Sequence, residues 1–247
     1  MLTRESPSGL GLVRAVLSAQ PDAFVYAGAR DPDSDGTEAL NALVRAHPGR
    51  LEIVRCISGD EEGNTVLAER IREQHGRVDV VIANAGISNW FGRVEDTPIH
   101  QLTEHFAVNT AGVVVLFQAV YTVLKASAHP KFIPISTHAA SMVLTLATPA
   151  GYTSYGASKA ALNWIARKIH FENEWLVCFP LAPGGVDTDM AREGMAMDTT
   201  GALAAMMEGN TVPADVAALR LIDLISNATR EKDGGEFIVV GGERLPW

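Results

Sequence analysis

The sequence has 247 residues, of which 47% are hydrophobic and 20% are charged, and its formal net charge is −9. This composition is that of a globular protein, and the acidic balance argues against a nucleic-acid partner, which needs clustered lysines and arginines. The two cysteines and the spacing of the seven histidines predict neither a disulfide framework nor a metal site.

The beginning of the chain carries no secretory signal, because Arg4 and Glu5 come early and no apolar core follows them. The most apolar stretch, residues 111–124, reads as too short to span a bilayer and contains Gln118 and Thr122. It therefore predicts a buried helix between two strands. We expect a cytoplasmic protein with no membrane partner.

Strand-like and helix-like segments alternate along most of the chain. The predicted strands are residues 24–29, 51–57, 78–83, 131–136, 176–181 and 237–240. The predicted helices begin with one opened by residues 8–11 and continue with residues 36–46, 64–75, 99–108, 112–126, 157–171 and 212–225. Apolar strands separated by helices are typical of a parallel sheet covered on both faces. The sequence thus predicts one α/β domain over residues 1–247, with a doubly wound, Rossmann-like sheet.

Polar loops follow several predicted strands, at the sheet edge where such folds bind ligands. Gly9 and Gly11 open the first helix, where backbone N–H groups can approach a pyrophosphate. Arg30 follows the second strand, where an arginine favours a ribose 2′-phosphate, although Asp31 comes next. Asn84 begins a tight turn after the third apolar strand. Each of these residues, taken singly, is also typical of an ordinary loop or helix entry.

Three more positions belong to the same predicted edge. Asn109 lies in an apolar segment, where a buried amide has to be hydrogen-bonded. Thr137 ends a strand, where a hydroxyl can hold a substrate oxygen, and Val186 and Thr188 lie in the loop after the strand at 176–181. The strand ends therefore bring several polar groups to one edge of one sheet.

Tyr155 and Lys159 are four residues apart, and helical spacing continues after them, so both side chains share one helix face. A phenol has an ordinary pKa of about 10 and is a weak acid–base group near neutral pH. A neighbouring ammonium stabilises the phenolate and lowers that pKa, as general acid–base catalysis requires. An ordinary amphipathic helix has the same spacing, so the surrounding motifs decide between the two interpretations.

In this order the motifs resemble those of the short-chain dehydrogenase/reductase family over nearly the whole chain. The matching residues are Gly9, Leu10 and Gly11 of the glycine motif, Asn84 of the Asn-Ala-Gly motif, Asn109, Tyr155 and Lys159, and Val186 and Thr188 after Pro183 and Gly184. Residues 155–170 and 242–247 are similar to the fungal norsolorinic acid ketoreductase-like branch, which implies secondary metabolism.

The resemblance implies that Tyr155 donates a proton to a carbonyl oxygen while NAD(P)H delivers hydride to the carbon. Lys159 would lower the Tyr155 pKa and hold the nicotinamide ribose, Thr137 would bind the substrate oxygen, and Asn109 would hold a relay water. The implied cofactor-binding residues are Gly9, Leu10, Gly11, Arg30, Asn84, Tyr155, Lys159, Val186 and Thr188. Arg30 makes NADP(H) the expected cofactor, with NAD(H) as the alternative. Family analogy implies a homodimer or homotetramer.

The chain also departs from the family pattern. Counting back from Gly9, the Thr and first Gly of the glycine motif correspond to Arg4 and Glu5, so the first strand is expected to be truncated. A carboxylate near a pyrophosphate is repulsive. Ile57 stands where the family has an adenine-binding Asp or Asn. Tyr152 is a rival phenol, but no lysine follows it four residues later.

These departures leave alternatives to a reductase: a cyclase, dehydratase or isomerase without hydride transfer, or an inactive binding protein. Five of the seven methionines, at positions 190, 195, 197, 206 and 207, follow residues 183–188, where the family places its substrate lid. Flexible thioethers suit a bulky apolar ligand, although methionines also fill ordinary helices. The leading expectation is NADP(H)-dependent reduction of a carbonyl, or the reverse oxidation, on a bulky apolar small molecule.

Overall fold

The computed structural model describes residues 2–3 and 7–247, and its strands form the predicted doubly wound α/β fold. The strands are β1 Leu2–Thr3, β2 Val25–Ala29, β3 Leu51–Arg55, β4 Val80–Ala83, β5 Lys131–Pro134, β6 Val177–Cys178, β7 Leu181–Ala182, β8 Gly185–Asp187, β9 Thr211–Pro213 and β10 Ile238–Val239. The helices are α1 Pro7–Ala19, α2 Glu38–Ala46, α3 Glu61–His75, α4 Ile99–Phe106, α5 Gly112–Lys125, α6 Thr153–Glu172, α7 Asp189–Met197, α8 Ala202–Met207, α9 Ala214–Asn227 and α10 Arg230–Asp233.

The strands pair in parallel, and the order in which successive strands are added reverses in the middle of the sheet. β1 pairs with β2 and β2 with β3, while β4 pairs with β5 and β5 with β6. β1 also lies next to β4, and a bridge between Ile135 and Leu181 joins β5 to β7, which pairs with β10. The first strand is two residues long, with Leu2 opposite Ala27. The reversal between β1 and β4 is where a sheet of this kind opens a ligand site.

Two apolar layers cover the sheet, one on each face. On one face α3, α5 and α6 bury Ile71, Val120 and Leu162 against Phe132 of β5. On the other face α1 and α9 bury their apolar residues against β2, β5 and β7. Each fully buried aliphatic or aromatic side chain contributes about 1.5–3 kcal/mol to stability.

One helix is longer than the sequence predicts. α4, a wide turn at Ala107–Ala111 and α5 form a continuous helix over Ile99–Lys125 that is long and apolar enough to cross a membrane by length and composition. The expectation that this segment is too short to do so is therefore wrong. Half of its most apolar part is nevertheless buried inside the protein, with Val120 and Leu124 fully covered, as expected of a core helix.

The segment after α6 also differs from the prediction. Residues 176–181 do not form one strand, because β6 ends at Cys178 and β7 begins at Leu181, with Pro180 between them. Proline has no N–H to give to a sheet, which explains the break. Beyond β7, β8 and β9 pair in parallel and enclose residues 189–210, which contain α7 and α8. We call residues 189–210 the lid.

Candidate active site

A large cavity lies at the carboxyl edge of the sheet. Its volume is about 900 Å³, and its lining includes Ser8, Arg30, Tyr155 and Met206. Loops after β2, β4, β5 and β7 line it, together with the start of α6 and the lid. The structure thus brings most of the sequence-predicted polar residues into one site.

Tyr155 and Lys159 lie on the first two turns of α6 and face this cavity. The Lys159 side chain is almost fully buried, and its Nζ donates a hydrogen bond to the Ile135 carbonyl at 2.8 Å. The Thr137 hydroxyl is hydrogen-bonded to the Tyr155 phenol. Three groups from β5, its following loop and α6 therefore converge on one point of the cavity wall.

Burial, rather than the neighbouring lysine, dominates the ionisation of this cluster. It raises the pKa of Tyr155 to about 12, and the Thr137 hydrogen bond offsets only part of that change. Burial also lowers the pKa of Lys159 to about 8. In the protein alone the charge of Lys159 is not among the causes of the Tyr155 shift, so the lowering of the Tyr155 pKa by Lys159 stays a prediction. Near neutral pH Tyr155 is a protonated phenol, the form in which it can donate.

Asn109 lies behind the cavity wall, fully buried in the wide turn between α4 and α5. Its Oδ1 accepts from the Ile87 backbone N–H at 2.8 Å, and its Nδ2 donates to the Ile87 carbonyl and to Ser158 Oγ, both at 3.0 Å. The side chain thus ties the loop after β4 to α6. Wide helical turns of this kind occur frequently at functional sites.

Arg30 also lines the cavity, and its side chain is exposed. Within the described part of the chain it forms no hydrogen bond or ion pair. The neighbouring Asp31 carboxylate accepts from the Asp33 backbone N–H at 3.1 Å, so it is engaged in its own loop. Arg30 is therefore a cation at the cavity rim that is available to an anionic ligand.

Asn84 and Gly86, in the loop after β4, line the same cavity. A Cβ at Gly86 would lie 3.2 Å from Asn109 Oδ1 and 3.4 Å from Lys159 Nζ. This spacing is tighter than most contacts of real Cβ atoms. Glycine at this position therefore lets the loop after β4 approach the buried amide and lysine.

The glycine segment contributes less to the cavity than the sequence predicts. Gly9, Leu10 and Gly11 lie in the first turns of α1 and do not line the cavity, whereas Ser8 and Leu12 do. A Cβ at Gly11 would lie 3.1 Å from the Ala214 carbonyl oxygen, so this glycine permits close packing of α1 on α9. Arg4 and Glu5 lie outside the described residues.

The adenine of a dinucleotide is expected near Ile57, where the family has an Asp or Asn. Among the described residues, the nearby Asp60 does not take over that role. Ile57 is half-buried and does not line the large cavity. The nearby Asp60 carboxylate accepts from the Gly63 N–H at 2.9 Å and pairs with Arg55 at 2.5 Å. Both of its roles are structural, because they begin α3 and fix the end of β3.

Val186 and Thr188 line the cavity where the lid begins. Val186 pairs with Val212 across β8 and β9, and Thr188 Oγ1 accepts from the Ala191 N–H at 3.2 Å to cap α7. Of the five methionines in this region, the three that line the cavity are Met190, Met206 and Met207. The lid therefore presents a flexible apolar surface to the site.

Two residues of the site were missed or set aside by the sequence analysis. Tyr152, the rival phenol, lines the same cavity as Tyr155 and lies against Phe91, with ring centroids 5.9 Å apart. Tyr152 precedes Tyr155 by three residues, about one helical turn, and this spacing in the sequence predicts that the two side chains share a face. Asp198 binds the lid to the loop before α6, and nothing in the local pattern identifies it.

Among residues 2–3 and 7–247, no group of three or more His, Cys, Asp or Glu side chains could hold a metal ion. The two cysteines are buried, and burial raises the pKa of the Cys56 thiol to about 12. Burial likewise raises the pKa of Cys178. Neither thiol is therefore a reactive thiolate near neutral pH.

Comparison with known proteins gives consistent matches over the whole chain. A family model described as short chain dehydrogenase matches residues 6–198. A norsolorinic acid ketoreductase of Aspergillus parasiticus is 35% identical over 244 residues, covering 97% of this chain and 87% of the relative. A norsolorinic acid ketoreductase of Dothistroma septosporum is 34% identical over 250 residues, covering 97% and 88%.

A solved structure agrees with these matches. The NADPH-bound carbonyl reductase from chicken fatty liver superposes with a TM-score of 0.86 at 28% identity, covering 100% of this chain and 97% of that one. The sequence motifs, the parallel sheet and the clustered Tyr155 and Lys159 support the same family assignment. The chain belongs to the short-chain dehydrogenase/reductase family and has the fold of its carbonyl reductases.

Proposed function

We propose that this protein is an NADP(H)-dependent carbonyl reductase, or alcohol dehydrogenase in reverse, that acts on a bulky apolar small molecule. One observation carries the proposal. The acid–base cluster of Tyr155, Lys159 and Thr137 lines one cavity together with the cation of Arg30, which has no partner among the described residues. A ligand with an anionic group for Arg30 and a reacting centre for the acid–base cluster fits that arrangement.

The described residues fit a phosphorylated dinucleotide. Arg30 offers an unpaired guanidinium where a ribose 2′-phosphate would lie, and Asp31, its acidic neighbour, is engaged in its own loop. Gly86 keeps the middle of the cavity free of a side chain beside Lys159. When bound, the nicotinamide would supply hydride to the substrate carbon.

The chain's own groups would handle the proton and the orientation. Tyr155 is protonated near neutral pH and would donate to the carbonyl oxygen as negative charge develops on it. The Thr137 hydroxyl, already bonded to that phenol, would share the same oxygen. Lys159 would stabilise the resulting phenolate, and Asn109 would keep the loop after β4 in register with α6.

The lid supports an apolar substrate. Met190, Met206 and Met207 face the cavity, and thioethers adapt to irregular apolar surfaces. Two relatives are ketoreductases named after norsolorinic acid, which supports a polyketide-like ketone of secondary metabolism as the substrate class.

Calorimetry of NADPH and NADH binding tests the cofactor. We expect NADPH to bind more tightly than NADH to the wild type, and Arg30→Ala to weaken NADPH binding about 10–100-fold while leaving NADH unchanged, because a charge-assisted hydrogen bond is lost. Arg14→Ala, at an exposed position on α1 outside the cavity lining, is the matched control. Failure of both nucleotides to bind would favour the non-redox alternative, a cyclase, dehydratase or isomerase, for which Ile57 and Glu5 argue.

Turnover of aromatic and aliphatic ketones with NADPH, followed by absorbance, tests the reaction. Tyr155→Phe should lower the rate about 10²–10⁴-fold, because the proton donor is removed. Tyr121→Phe, a half-buried tyrosine on α5 that packs on Phe117, should keep the wild-type rate. A Tyr155→Phe variant with full activity would contradict the assigned chemistry.

The cytoplasmic location and the homodimeric or homotetrameric state stay predictions. Light scattering on the purified protein measures the assembly, and a monomer would contradict that part of the proposal.

A further inference from the structure

Tyr152 has a defined place in the cavity that the proposed reaction does not use. It lies immediately before α6, one turn ahead of Tyr155, and lines the same cavity. The two phenols are close enough that the ionised form of Tyr152 would raise the pKa of Tyr155. A group held near Tyr155 can therefore also be within reach of Tyr152.

The hydroxyl of Tyr152 has a weak partner. Within the described part of the chain its hydrogen-bond acceptor is Met206 Sδ, at 3.8 Å, on an exposed lid side chain. A thioether sulfur is a poor acceptor, so the phenol gains from a better oxygen partner in the same place. Burial and the charge of Asp198 raise the pKa of Tyr152, which keeps it protonated as a donor.

The position of Tyr152 is fixed by its backbone. The Gly92 N–H donates to the Gly151 carbonyl at 3.1 Å, and Gly92 and Tyr152 form a bridge. A Cβ at Gly151 would collide with the Gly92 backbone, so the glycine at 151 allows the two segments to come together. The phenol ring also packs on Phe91. A donor held in this way is set in place before any ligand binds.

The surroundings define the ligand. The rings of Phe91 and Tyr152 lie on one side, and Met190, Met206 and Leu203 of the lid line the cavity with them. Flat aromatic surfaces pack well against aromatic rings and methionine side chains. The phenol hydroxyl supplies one polar point in this apolar region.

We propose that Tyr152 determines substrate specificity by donating a hydrogen bond to a ring oxygen of a planar, hydroxylated aromatic ketone whose carbonyl meets Tyr155. This inference rests on the proposed reductase function. Met206 is the side chain that gives up its contact with Tyr152 when the substrate oxygen takes its place. With an aromatic ketone that lacks the ring oxygen, the Tyr152 hydroxyl would keep the Met206 sulfur as its partner.

Steady-state kinetics with a matched pair of ketones tests the proposal. The probes are α-tetralone and its ring-hydroxylated isomers, compared in the wild type, Tyr152→Phe and the control Tyr121→Phe. We expect Tyr152→Phe to lower kcat/KM for at least one hydroxylated isomer about threefold to tenfold through KM, with α-tetralone unchanged, because one neutral hydrogen bond is lost. Equal loss for every ketone, or no loss for any, would overturn the inference.

A binding measurement separates this inference from the proposed function. Calorimetry measures the affinity of the hydroxylated ketones for two variants, Tyr155→Phe and the double variant Tyr152→Phe/Tyr155→Phe. This measurement does not require turnover. Weaker binding in the double variant supports the role of Tyr152 even where the wild type reduces none of these ketones. Equal affinity in the two variants, or no binding to either of them, overturns it. Unchanged melting temperatures show that Tyr152→Phe leaves the fold intact.

Discussion

The floor of the cavity and its lid are held in different ways. The floor consists of Asn109, Thr137, Ser158 and Lys159, whose side chains bond to one another, to Tyr155 and to backbone groups of neighbouring elements. In the lid, a buried carboxylate gathers several hydrogen bonds. Asp198 is buried and accepts from the Leu203 N–H at 2.8 Å and from the Thr200 hydroxyl at 2.7 Å, and it also accepts from the Gly151 N–H.

This difference assigns separate tasks to the two regions. The floor joins α4, α5, α6 and two loops through buried bonds, so its geometry is set by the whole fold. The lid carries exposed side chains, and two contacts link it to the start of the catalytic helix: Asp198 with Gly151, and Met206 with Tyr152. Changes in the floor should therefore affect stability and chemistry together, whereas changes in the lid should affect substrate capture.

The largest effect is expected from Asn109→Ala. The substitution removes the side-chain partner of the Ile87 N–H and of the Ile87 carbonyl, and it takes one of two hydrogen bonds from the buried Ser158 hydroxyl, which still donates to the Tyr155 carbonyl. We expect the free energy of unfolding to fall by about 2–4 kcal/mol, measured by urea denaturation. Asn227→Ala, at an exposed helix end, should change it by less than about 0.5 kcal/mol. Equal urea midpoints for both variants would show that the floor is not held by Asn109.

The next effect is a loss of reduction at high pH. Burial lowers the pKa of Lys159 to about 8, so its charge is present below that pH and is lost above it. Without the ammonium, the Tyr155 phenolate left after proton donation is less stabilised. We expect kcat/KM to fall about tenfold per pH unit beyond this point. Lys168→Met, an exposed lysine paired with Glu172, should keep the wild-type profile. A profile that stays flat to about pH 10 would exclude a role for the Lys159 charge.

The smallest effect is expected from Asp198→Asn. Burial alone would raise the pKa of Asp198, but hydrogen bonds from Leu203, Thr200 and Gly151 outweigh it and hold the pKa below its ordinary value. The carboxylate is therefore ionised at neutral pH, and its contribution disappears only as the pH falls through that lowered pKa. An asparagine at this position would turn its amide N–H towards the backbone N–H donors that bond to Asp198, and at least one of these hydrogen bonds would be lost.

We expect Asp198→Asn to raise KM about threefold to tenfold with little change in kcat, and to speed proteolytic cleavage within the lid. Asp187→Asn removes an exposed ion pair with Arg192 outside the cavity lining and is the matched control. Identical KM and cleavage rates in the two variants would mean that the lid is held by other contacts.

The parts that could be predicted from sequence depend on local patterns. The apolar run at β4 and the four-residue spacing of Tyr155 and Lys159 both follow from strand and helix periodicity. Arg30 and Thr137 were located because they follow apolar strands, and both line the cavity. The position of each residue just after a strand was therefore enough to predict that these side chains lie at one edge of the sheet.

The parts that could not be predicted depend on distant contacts. Asp198 takes donors from α8 and from the loop before α6, which no local pattern brings together. β8 and β9 have three residues each, too few to show an alternating pattern. The pKa of Tyr155 follows from how deeply the finished fold buries it. Pro180 was visible in the sequence, but the apolar residues around it hid the break in the strand.

The pairing of β8 with β9 has a consequence for how this enzyme can change. Paired strands lie about 4.8 Å apart, and Asp187 at the end of β8 is two register positions along the pair from Thr211 at the start of β9. Residues 189–210 are thus a cassette whose ends lie on neighbouring strands, and loop length costs little once the ends are held together. A cassette from a relative with another substrate can be exchanged at Asp187 and Thr211 without shifting the register of the central sheet.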